Sequence, residues 1–393
     1  MSIFLQLHVL TTYAASNLNR DDTGRPKTLM FGGADRLRIS SQSLKRALRT
    51  SDVFADAVGG GPGLTTGHVA TRTQNLVSRM VGHLTANGKS EDDAIQLVLK
   101  ALAKAKTKAG DEEDEDGEDE KPAKGKAKAK KDAKKLTIGS LNGEKGRETE
   151  TNELVSLSPD ELKRADEIAQ KLAKGELIDQ KDAVVLLHQP RAADIALFGR
   201  MLADNPTYNV EAAAQVAHAF TTHKVSVEDD FFTAVDDLTK NRGAGFIGVQ
   251  EYGAGTFYLY ACLDASLLVR NLAGDKTLAG TTAEALVEAI TTVSPKGKQN
   301  SFASRTFGGY ALAEMGTRSP RSLAAAFAKP VGTDGENDYE AASKSRLTGL
   351  RTNFDKVYGP CASKSAVLDV ATGEGSLAAL KALAREAVDA VQL

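Results

Sequence analysis

Residues 11–49 read TTYAASNLNRDDTGRPKTLMFGGADRLRISSQSLKRALR, a stretch in which a basic loop leads through a glycine turn into a helix. The loop contains three basic side chains, Arg20, Arg25 and Lys27. The turn falls at Gly32-Gly33, and the serine pair Ser40-Ser41 then predicts the start of the helix. We expect the basic loop and the helix to meet at the end of the apolar strand that precedes them.

The predicted helix carries two side-chain pairs at helical spacing. Lys45 and Arg49 are four residues apart and therefore share one face. Leu44 and Leu48 repeat this spacing on the neighbouring face, which predicts contact with the core. A basic helix face beside a basic loop suits a polyanion, although a solvated basic surface would have the same composition.

An alternating pattern before this stretch predicts a half-buried strand. Apolar residues occupy every second position from Ile3 to Val9. Gln6 and His8 fall on the other, polar face. We expect the His8 side chain to face solvent or to be paired, rather than to act as a ligand.

The composition favours a globular protein of the cytoplasm. The chain has 393 residues, 41% of them hydrophobic, and a formal net charge of −2, so that a site for a polyanion must be local. Its two cysteines, Cys262 and Cys361, cannot form a disulfide framework. The sequence contains neither a signal-peptide pattern nor an apolar run of the ~18 residues that a membrane span needs.

A glycine run and a charged segment divide the chain. Residues 59–63 read GGGPG, which predicts a hinge and a domain boundary. Residues 111–120 are almost entirely acidic, and residues 121–135 hold eight lysines. Because so little apolar surface can be buried there, we expect residues 103–147 to be a disordered insertion.

Local signals predict further elements. Ser158, Pro159 and Glu161 form a capping-box pattern at the start of a helix. Other helices are expected at 71–86, after 90, at 339–358 and at 376–391. Strands are expected at 194–201, 257–263 and 301–307, whereas 209–220 fits a helix or a strand equally well.

Residues 220–260 are rich in aromatic side chains, glycine and acids. Eight of the 21 Phe and Tyr residues of the chain (13 Phe and 8 Tyr) fall in this stretch. The composition predicts a projecting hairpin with an apolar tip, which could stack on nucleic-acid bases or dock against a protein. An ordinary hairpin folded onto its own core is the alternative.

Signals for catalysis are few. The sequence lacks a phosphate-binding P-loop, an HExxH motif, a CxxC pair and a Gly-x-Ser-x-Gly elbow. One group of acids could hold Mg²⁺ and support phosphodiester cleavage: Asp229, Asp230, Asp236 and Asp237. Acids that flank an aromatic residue at a helix start are more often caps or solvated side chains, so binding is favoured over catalysis.

Several long pieces of the sequence closely resemble the CasC family of the RAMP superfamily, the backbone subunit of the type I-E CRISPR surveillance complex Cascade. The matching pieces are SNLNRDDTGRPKT, FGGADRLRISSQSLKRALRTS, ADIALFGRML, NVEAAAQVAHAF, DDFFTAVDDL and VQEYGAGTFYLYA. The resemblance covers most of the chain outside the charged insertion and is much more specific than a short motif.

The resemblance implies an α+β fold shaped like a right hand. An RRM-like (ferredoxin-like) palm would comprise residues 1–58, 214–222 and 256–393. Helical fingers would occupy 59–213, and a β-hairpin thumb would occupy 223–255. The implied partners are CRISPR RNA, a target DNA strand, about six copies of the chain itself and other Cascade subunits of the CasA, CasB, CasD and CasE types. No cofactor is implied.

The activity implied by the resemblance is not catalytic. Copies of the subunit would polymerise along CRISPR RNA, and each thumb would kink the RNA so that it can pair with target DNA. The alternative is a metal-dependent ribonuclease of the RAMP group that cuts bound target RNA through a thumb acid.

The resemblance also implies roles for individual residues. Contacts to the RNA backbone would be made by Arg20, Lys27, Ser40, Gln42, Lys45, Arg49, Lys296 and Lys298. Met201 would pack beside the displaced nucleotide, whereas its apolar neighbourhood by itself predicts a core residue. Phe232 and Ile247 would wedge into the duplex of guide and target.

Overall fold

The computed structural model describes residues 2–59, 67–104, 135–136, 139–142, 149–234, 238, 246–332 and 338–392. The chain forms two compact units. The first comprises residues 1–62, 213–270 and 274–393, and the second comprises 63–212 and 271–273. The first boundary between the two units, between Pro62 and Gly63, lies inside the glycine run.

Helices and antiparallel strands are mixed along the chain, which confirms the α+β class. The strands are β1 (Phe4–Ser16), β2 (Thr28–Phe31), β3 (Ala34–Ile39), β4 (Thr71–Thr73), β5 (Lys135–Leu136), β6 (Gly139–Ser140), β7 (Val155–Leu157), β8 (Ala214–Val216), β9 (Ala219–Thr221), β10 (Glu228–Ala234), β11 (Phe246–Asp264), β12 (Tyr310–Gly316), β13 (Lys364–Asp369) and β14 (Glu374–Gly375). The helices are α1 (Ser41–Arg49), α2 (Asp52–Ala57), α3 (Leu76–Ala86), α4 (Glu91–Lys104), α5 (Pro159–Ala173), α6 (Ala193–Phe198), α7 (Ala265–Asn271), α8 (Lys276–Thr292), α9 (Gln299–Phe302), α10 (Tyr339–Tyr358) and α11 (Leu377–Asp389).

One large sheet organises the first unit. Its strand order is β14-β13-β12-β1-β11-β9-β3-β2, and β8 and β10 also pair with β11. β1 lies in the middle, antiparallel to β12 on one side and to β11 on the other. Its pairing with β11 is regular from Phe4↔Asp264 to Tyr13↔Gly255, and the register shifts before Ser16↔Gly253.

The central strand β1 is buried on both faces, so the expectation of a polar, half-exposed face is wrong. Leu10 packs with Tyr258 and with Leu347 of α10 on one face, while α8 and α11 also contact the strand. Gln6 and His8 are both buried. His8 is paired, as expected, because its Nδ1 atom lies within hydrogen-bond distance of the Tyr258 hydroxyl, at 2.9 Å.

A buried carboxylate neutralises the charges near His8. Oε2 of Glu314 lies 3.4 Å from His8 Nε2 and 2.8 Å from Arg321 Nη1, and Oε1 accepts from Arg351 Nε at 2.7 Å. Burial alone would raise the pKa of the Glu314 carboxyl, but hydrogen bonds from these three side chains hold it well below its usual range. Burial lowers the pKa of His8, so this imidazole is held neutral.

The second unit is a helical cluster with a small two-stranded sheet, β4 with β7. Apolar side chains of α3, α4 and α5 form its core. The predicted capping box is confirmed: Glu161 N donates to Ser158 Oγ at 3.2 Å, and Ser158 N donates to Glu161 Oε2 at 2.8 Å. No helix in the described part of the chain is both long and apolar enough to span a bilayer.

Three predicted elements differ from the structure. Residues 71–73 form β4, so the helix predicted from 71 begins only at Leu76. The strand predicted at 194–201 is the helix α6, which ends at Gly199 with a φ of 80°. The strand predicted at 301–307 is irregular after the short helix α9. Short apolar runs fit either helix or strand by periodicity alone, which explains the second error.

Most of the predicted charged insertion lies outside the residues that the structure describes. Residues 105–134, 137–138 and 143–148 lie outside the described residues, so the expectation of disorder applies to them only as a prediction. Within the predicted insertion, β5 and β6 pair with each other, so the expectation of disorder is wrong for these two strands. Residues 209–220, which fitted a helix or a strand, contain strands β8 and β9.

We expect Glu314→Gln to lower the free energy of unfolding by about 3 kcal/mol or more at pH 7. The substitution leaves Arg321 and Arg351 partly buried without their shared counter-charge. Urea unfolding followed by circular dichroism measures the loss.

The matched control is Glu288→Gln, which removes a half-exposed carboxylate paired with Lys381 and should cost no more than about 1 kcal/mol. The stabilisation from Glu314 is present above its usual pKa of 4.5 and is lost as the pH falls below that value. Equal losses in the two variants would contradict this account of the buried network.

Candidate nucleic-acid interface

The basic loop, defined as residues 17–27, is anchored on the sheet by a buried asparagine. Nδ2 of Asn17 donates to the backbone oxygen of Glu251 at 2.9 Å and to that of Gly24 at 3.1 Å. Arg25 adds an ion pair to Glu251 at 2.6 Å. The loop therefore keeps a fixed position beside β11, while Arg20 at its surface is exposed.

A second asparagine joins the basic loop to α1. Oδ1 of Asn19 accepts from Ser40 N at 2.9 Å, and the Asn19 carbonyl accepts from Lys27 N at 2.8 Å. Ser40 is the N-cap of α1, as predicted, and its hydroxyl accepts from Ser43 N at 3.3 Å. Loop and helix thus meet beyond the end of β1.

The outer surface of α1 carries the predicted polar residues. Leu44, Ala47 and Leu48 are buried, which confirms the predicted core face. Gln42 is exposed, and Lys45 and Arg49 are half-buried. Lys45 is half-buried, and burial lowers the pKa of its side chain. The attraction between its charge and a nearby anion is less screened by water than at a fully exposed lysine.

The lysine loop, defined as residues 295–298, packs directly against the basic loop. A Cβ atom on Gly297 would lie 2.3 Å from the Leu18 carbonyl oxygen, so only glycine permits this approach. Lys296 is exposed. Nζ of Lys298 lies 3.4 Å from Gln250 Oε1. The first unit therefore holds both lysines beside the basic loop and β11.

The thumb hairpin, defined as β10 with residues 246–252 of β11, is a direct extension of the central strand β11. Its register pairs Phe232 with Gly248 and Thr233 with Ile247. Paired residues of an antiparallel ladder share a face and neighbours along a strand alternate, so Phe232 and Ile247 point to opposite faces. The antiparallel pairing confirms the expected hairpin, whereas most of its predicted apolar tip, at 235–237 and 239–245, lies outside the described residues. The two predicted wedge residues do not form one patch.

One face of the thumb hairpin is the more apolar. Ile247 shares its face with Phe231 and Val249, and the three side chains are 59%, 63% and 63% exposed. Phe232, 42% exposed, lies on the other face opposite Gly248. None of these four side chains is buried, so the alternative of a hairpin folded onto its own core does not apply to them. The hairpin offers apolar contacts on both sides.

Two of the four acids of this region lie in a strand rather than at the predicted helix start. Asp229 and Asp230 are exposed residues of β10 and, as neighbours in a strand, point to opposite faces. Asp236 and Asp237 lie outside the described residues. Across the described residues, no group of three or more His, Cys, Asp or Glu side chains is arranged to hold a metal ion.

Met201 belongs to the second unit and is 81% exposed, so the expectation of a core residue is wrong. Arg200, the residue before it, fixes the position of the chain at this point. Nη1 of Arg200 donates to both carboxylate oxygens of Glu161, at 2.7 and 2.9 Å, and both side chains are buried. Main-chain hydrogen bonds between Arg200 and Val210 complete the support. Met201 is thus presented to solvent from a rigid point, a feature that its apolar sequence neighbourhood did not reveal.

Sequence reasoning gave no role to Arg38 or His218, which the structure places at the start of α1. Nη1 of Arg38 lies 3.1 Å from Nδ1 of His218. The alternation of basic and apolar residues over 36–39 was visible in the sequence. The partner of Arg38 was not, because His218 lies 180 residues further along the chain, in the turn between β8 and β9.

Comparison with known proteins identifies the family. The family model described as "CT1975-like protein" matches residues 5–392. A solved structure described as "CRISPR RNA-guided surveillance complex, pre-nicking" contains a chain that is 28% identical, with a TM-score of 0.75, and the match covers 98% of this chain and 99% of that one. A second, described as "CRISPR RNA-guided surveillance complex", contains a chain that is 25% identical, with a TM-score of 0.68 and the same coverage. The search of curated proteins found no match.

Both similarities extend over nearly the whole chain, and they agree with the resemblance to CasC on which the residue assignments rest. The chain belongs to the CT1975-like family of CasC-type backbone proteins.

Proposed function

We propose that this protein is a non-catalytic backbone subunit of a type I-E CRISPR effector complex, Cascade. In this function it polymerises along CRISPR RNA, holds the RNA backbone and kinks it at regular intervals so that it can pair with target DNA. One observation carries the proposal: the basic loop, α1, the lysine loop and the base of the thumb hairpin are joined to one another by direct contacts in the first unit.

The chemistry of the joined loops suits a nucleic-acid backbone. Cationic side chains and hydroxyl groups contact phosphates and sugars without reading sequence. The proposed contacts are Arg20, Lys27, Ser40, Gln42, Lys45, Arg49, Lys296 and Lys298. A guide held in this way leaves its bases to recognise the target by pairing, while the protein responds to backbone shape.

The thumb hairpin suits a wedge between bases. Apolar side chains that stack on bases are tolerant of sequence, and the hairpin presents Phe232 on one face and Ile247 on the other. A wedge with contacts on both sides can separate a base pair from its neighbour at each subunit. Met201 is proposed to pack beside the nucleotide that is displaced there.

The domain roles are proposed by the same reasoning. The first unit would act as an RRM-like palm, covering 1–58, 214–222 and 256–393, with residues 223–255 as its thumb. Residues 59–213 would form the fingers. Copies that associate head to tail would form an open filament unless other subunits cap it. We propose CasA-, CasB-, CasD- and CasE-type subunits as those partners, in the cytoplasm.

We expect no cleavage of bound RNA. The assembled protein would be incubated with guide RNA, a complementary RNA and Mg²⁺, and the products separated on a denaturing gel. The exposed pair Asp229 and Asp230 faces in two directions, which does not favour a shared metal ion. Discrete cuts in the complementary strand that disappear in Asp229→Asn or Asp230→Asn would instead establish the ribonuclease.

The double variant Lys45→Glu and Arg49→Glu should bind RNA of any sequence more weakly. Each lost phosphate contact lowers the slope of log affinity against log salt by about 0.7 for a single strand, or about 1.4 for two contacts. Filter binding of a uridine oligonucleotide at several salt concentrations measures both quantities.

The matched control is Lys356→Glu, near the end of α10. Arg318, just after β12, donates a hydrogen bond to the backbone oxygen of Tyr358 at the end of α10. This end of β12 pairs with Phe4 at the start of β1. Lys356 therefore lies at the opposite end of the sheet from the basic loop. An unchanged slope in the double variant, or an equal change per charge in the control, would place the RNA elsewhere.

The double variant Phe232→Ala and Ile247→Ala should still bind the guide but release the target strand faster. Stacking of an aromatic side chain on a base contributes about 1–3 kcal/mol, with less expected for isoleucine, so dissociation should accelerate by at least about tenfold. Target dissociation from the assembled complex is the measurement.

The control for the hairpin is Val370→Ala, which removes an exposed apolar side chain just after β13. The single variants Phe232→Ala and Ile247→Ala then separate the two faces of the hairpin. Wild-type dissociation in the double variant, together with reduced solubility or a lower thermal midpoint, would show that these side chains support folding rather than pairing.

A further inference from the structure

Arg38 and His218 are fixed against each other at the first turn of α1. Nη1 of Arg38 points at His218 Nδ1 from 3.1 Å, and the backbone N–H of Ser41 points at the same ring nitrogen from 3.3 Å. The Ser41 hydroxyl donates to the Val216 carbonyl at 2.7 Å. These contacts connect β3, α1 and the turn between β8 and β9.

The two contacts determine the tautomer of His218. A guanidinium group and a backbone N–H can only donate, so Nδ1 must accept from both and carries no proton. The proton of the neutral ring is therefore on Nε2. Since the His218 side chain is exposed, its Nε2–H group is a donor that a ligand can reach. Burial, Arg38 and Lys27 all lower the pKa of His218, in agreement with the neutral ring.

The charge around this donor is positive. The backbone N–H of Arg38 donates to the Lys27 carbonyl at 2.7 Å, which places these residues side by side at the ends of β2 and β3. The charges of both Arg38 and Lys27 lower the pKa of His218. An oriented neutral donor near two cationic residues suits an anion with several acceptor oxygens.

The same place adjoins residues already proposed to bind RNA. Lys27 is one of them, and Ser40 and Gln42 flank Ser41, whose N–H contacts the His218 ring. We propose that Arg38 and His218 extend the phosphate-binding surface, with the Nε2–H of His218 donating to a phosphate oxygen of the bound RNA and Arg38 supplying charge. This inference rests on the proposed function.

Two substitutions of His218 distinguish binding from a purely structural role. His218→Asn keeps an acceptor near Nδ1 for Arg38 and Ser41 but removes the donor at Nε2. His218→Gln can keep a donor near Nε2 but loses the Nδ1 acceptor. We expect His218→Asn to bind a single-stranded uridine oligonucleotide about tenfold more weakly than His218→Gln, because it lacks the hydrogen bond to a charged phosphate. If the His218 side chain only anchors α1, His218→Gln should bind RNA more weakly than His218→Asn. That result, or equal affinities of the two variants, would overturn the inference.

Substitution of Arg38 tests the charge separately. Arg38→Gln retains a donor for His218 but removes the positive charge, so the salt slope of RNA binding by the full chain should fall by about 0.7. Arg38→Lys should keep the slope, and Lys356→Gln serves as the control for loss of a cation elsewhere. A slope in Arg38→Gln equal to that of the wild-type protein would remove Arg38 from the surface.

The Lys45→Glu and Arg49→Glu variant separates this inference from the proposed function. If that variant binds RNA weakly while the Arg38 and His218 variants bind normally, the proposed function stands and the extension is wrong. If that variant and the Arg38 and His218 variants all bind RNA normally, RNA does not lie on this surface, and both are wrong.

Discussion

β1 and β11 are hydrogen-bonded along ten consecutive residue pairs in register, from Phe4↔Asp264 to Tyr13↔Gly255. This pairing forms the centre of the sheet, and both strands continue past it. Beyond its end, β1 leads into the basic loop, while the 19-residue strand β11 begins in the thumb hairpin before it enters the core. The two parts of the candidate interface therefore leave the sheet at the same end, and their separation is set by one strand pair.

Short-range contacts then hold these parts in place. A hydrogen bond from Asn17 connects the basic loop to Glu251 at the base of the thumb hairpin. A hydrogen bond from Ser40 N to Asn19 connects the same loop to the start of α1. Gly297 lets the lysine loop approach the Leu18 carbonyl. Buried or tightly packed anchors limit the conformational freedom of surface side chains, so less ordering entropy is lost when RNA binds. The proposed function needs such a fixed spacing, because each subunit would hold the guide backbone and insert its thumb hairpin at a set distance from it.

Local sequence signals predicted two elements of the candidate interface, whereas the roles of its residues rest on the family resemblance. Ser40 and the Leu44–Leu48 spacing defined α1 correctly, and composition alone indicated the hairpin. The sequence did not reveal contacts between side chains that are far apart in the chain. The polar residues Gln6 and His8 suggested an exposed face, yet Glu314, Tyr258 and Arg321 pair with them and make a doubly buried strand possible. The register of the hairpin likewise separates Phe232 from Ile247, and the His218 partner of Arg38 lies in a turn 180 residues further along the chain.

Electron microscopy of the protein co-purified with its RNA tests the central claim most directly. The account predicts a repeating assembly in which RNA phosphates follow the basic loop, α1 and the lysine loop, and in which each thumb hairpin contacts bases through Phe232 or Ile247. RNA density along another surface of the first unit, or hairpins that contact only protein, would contradict it.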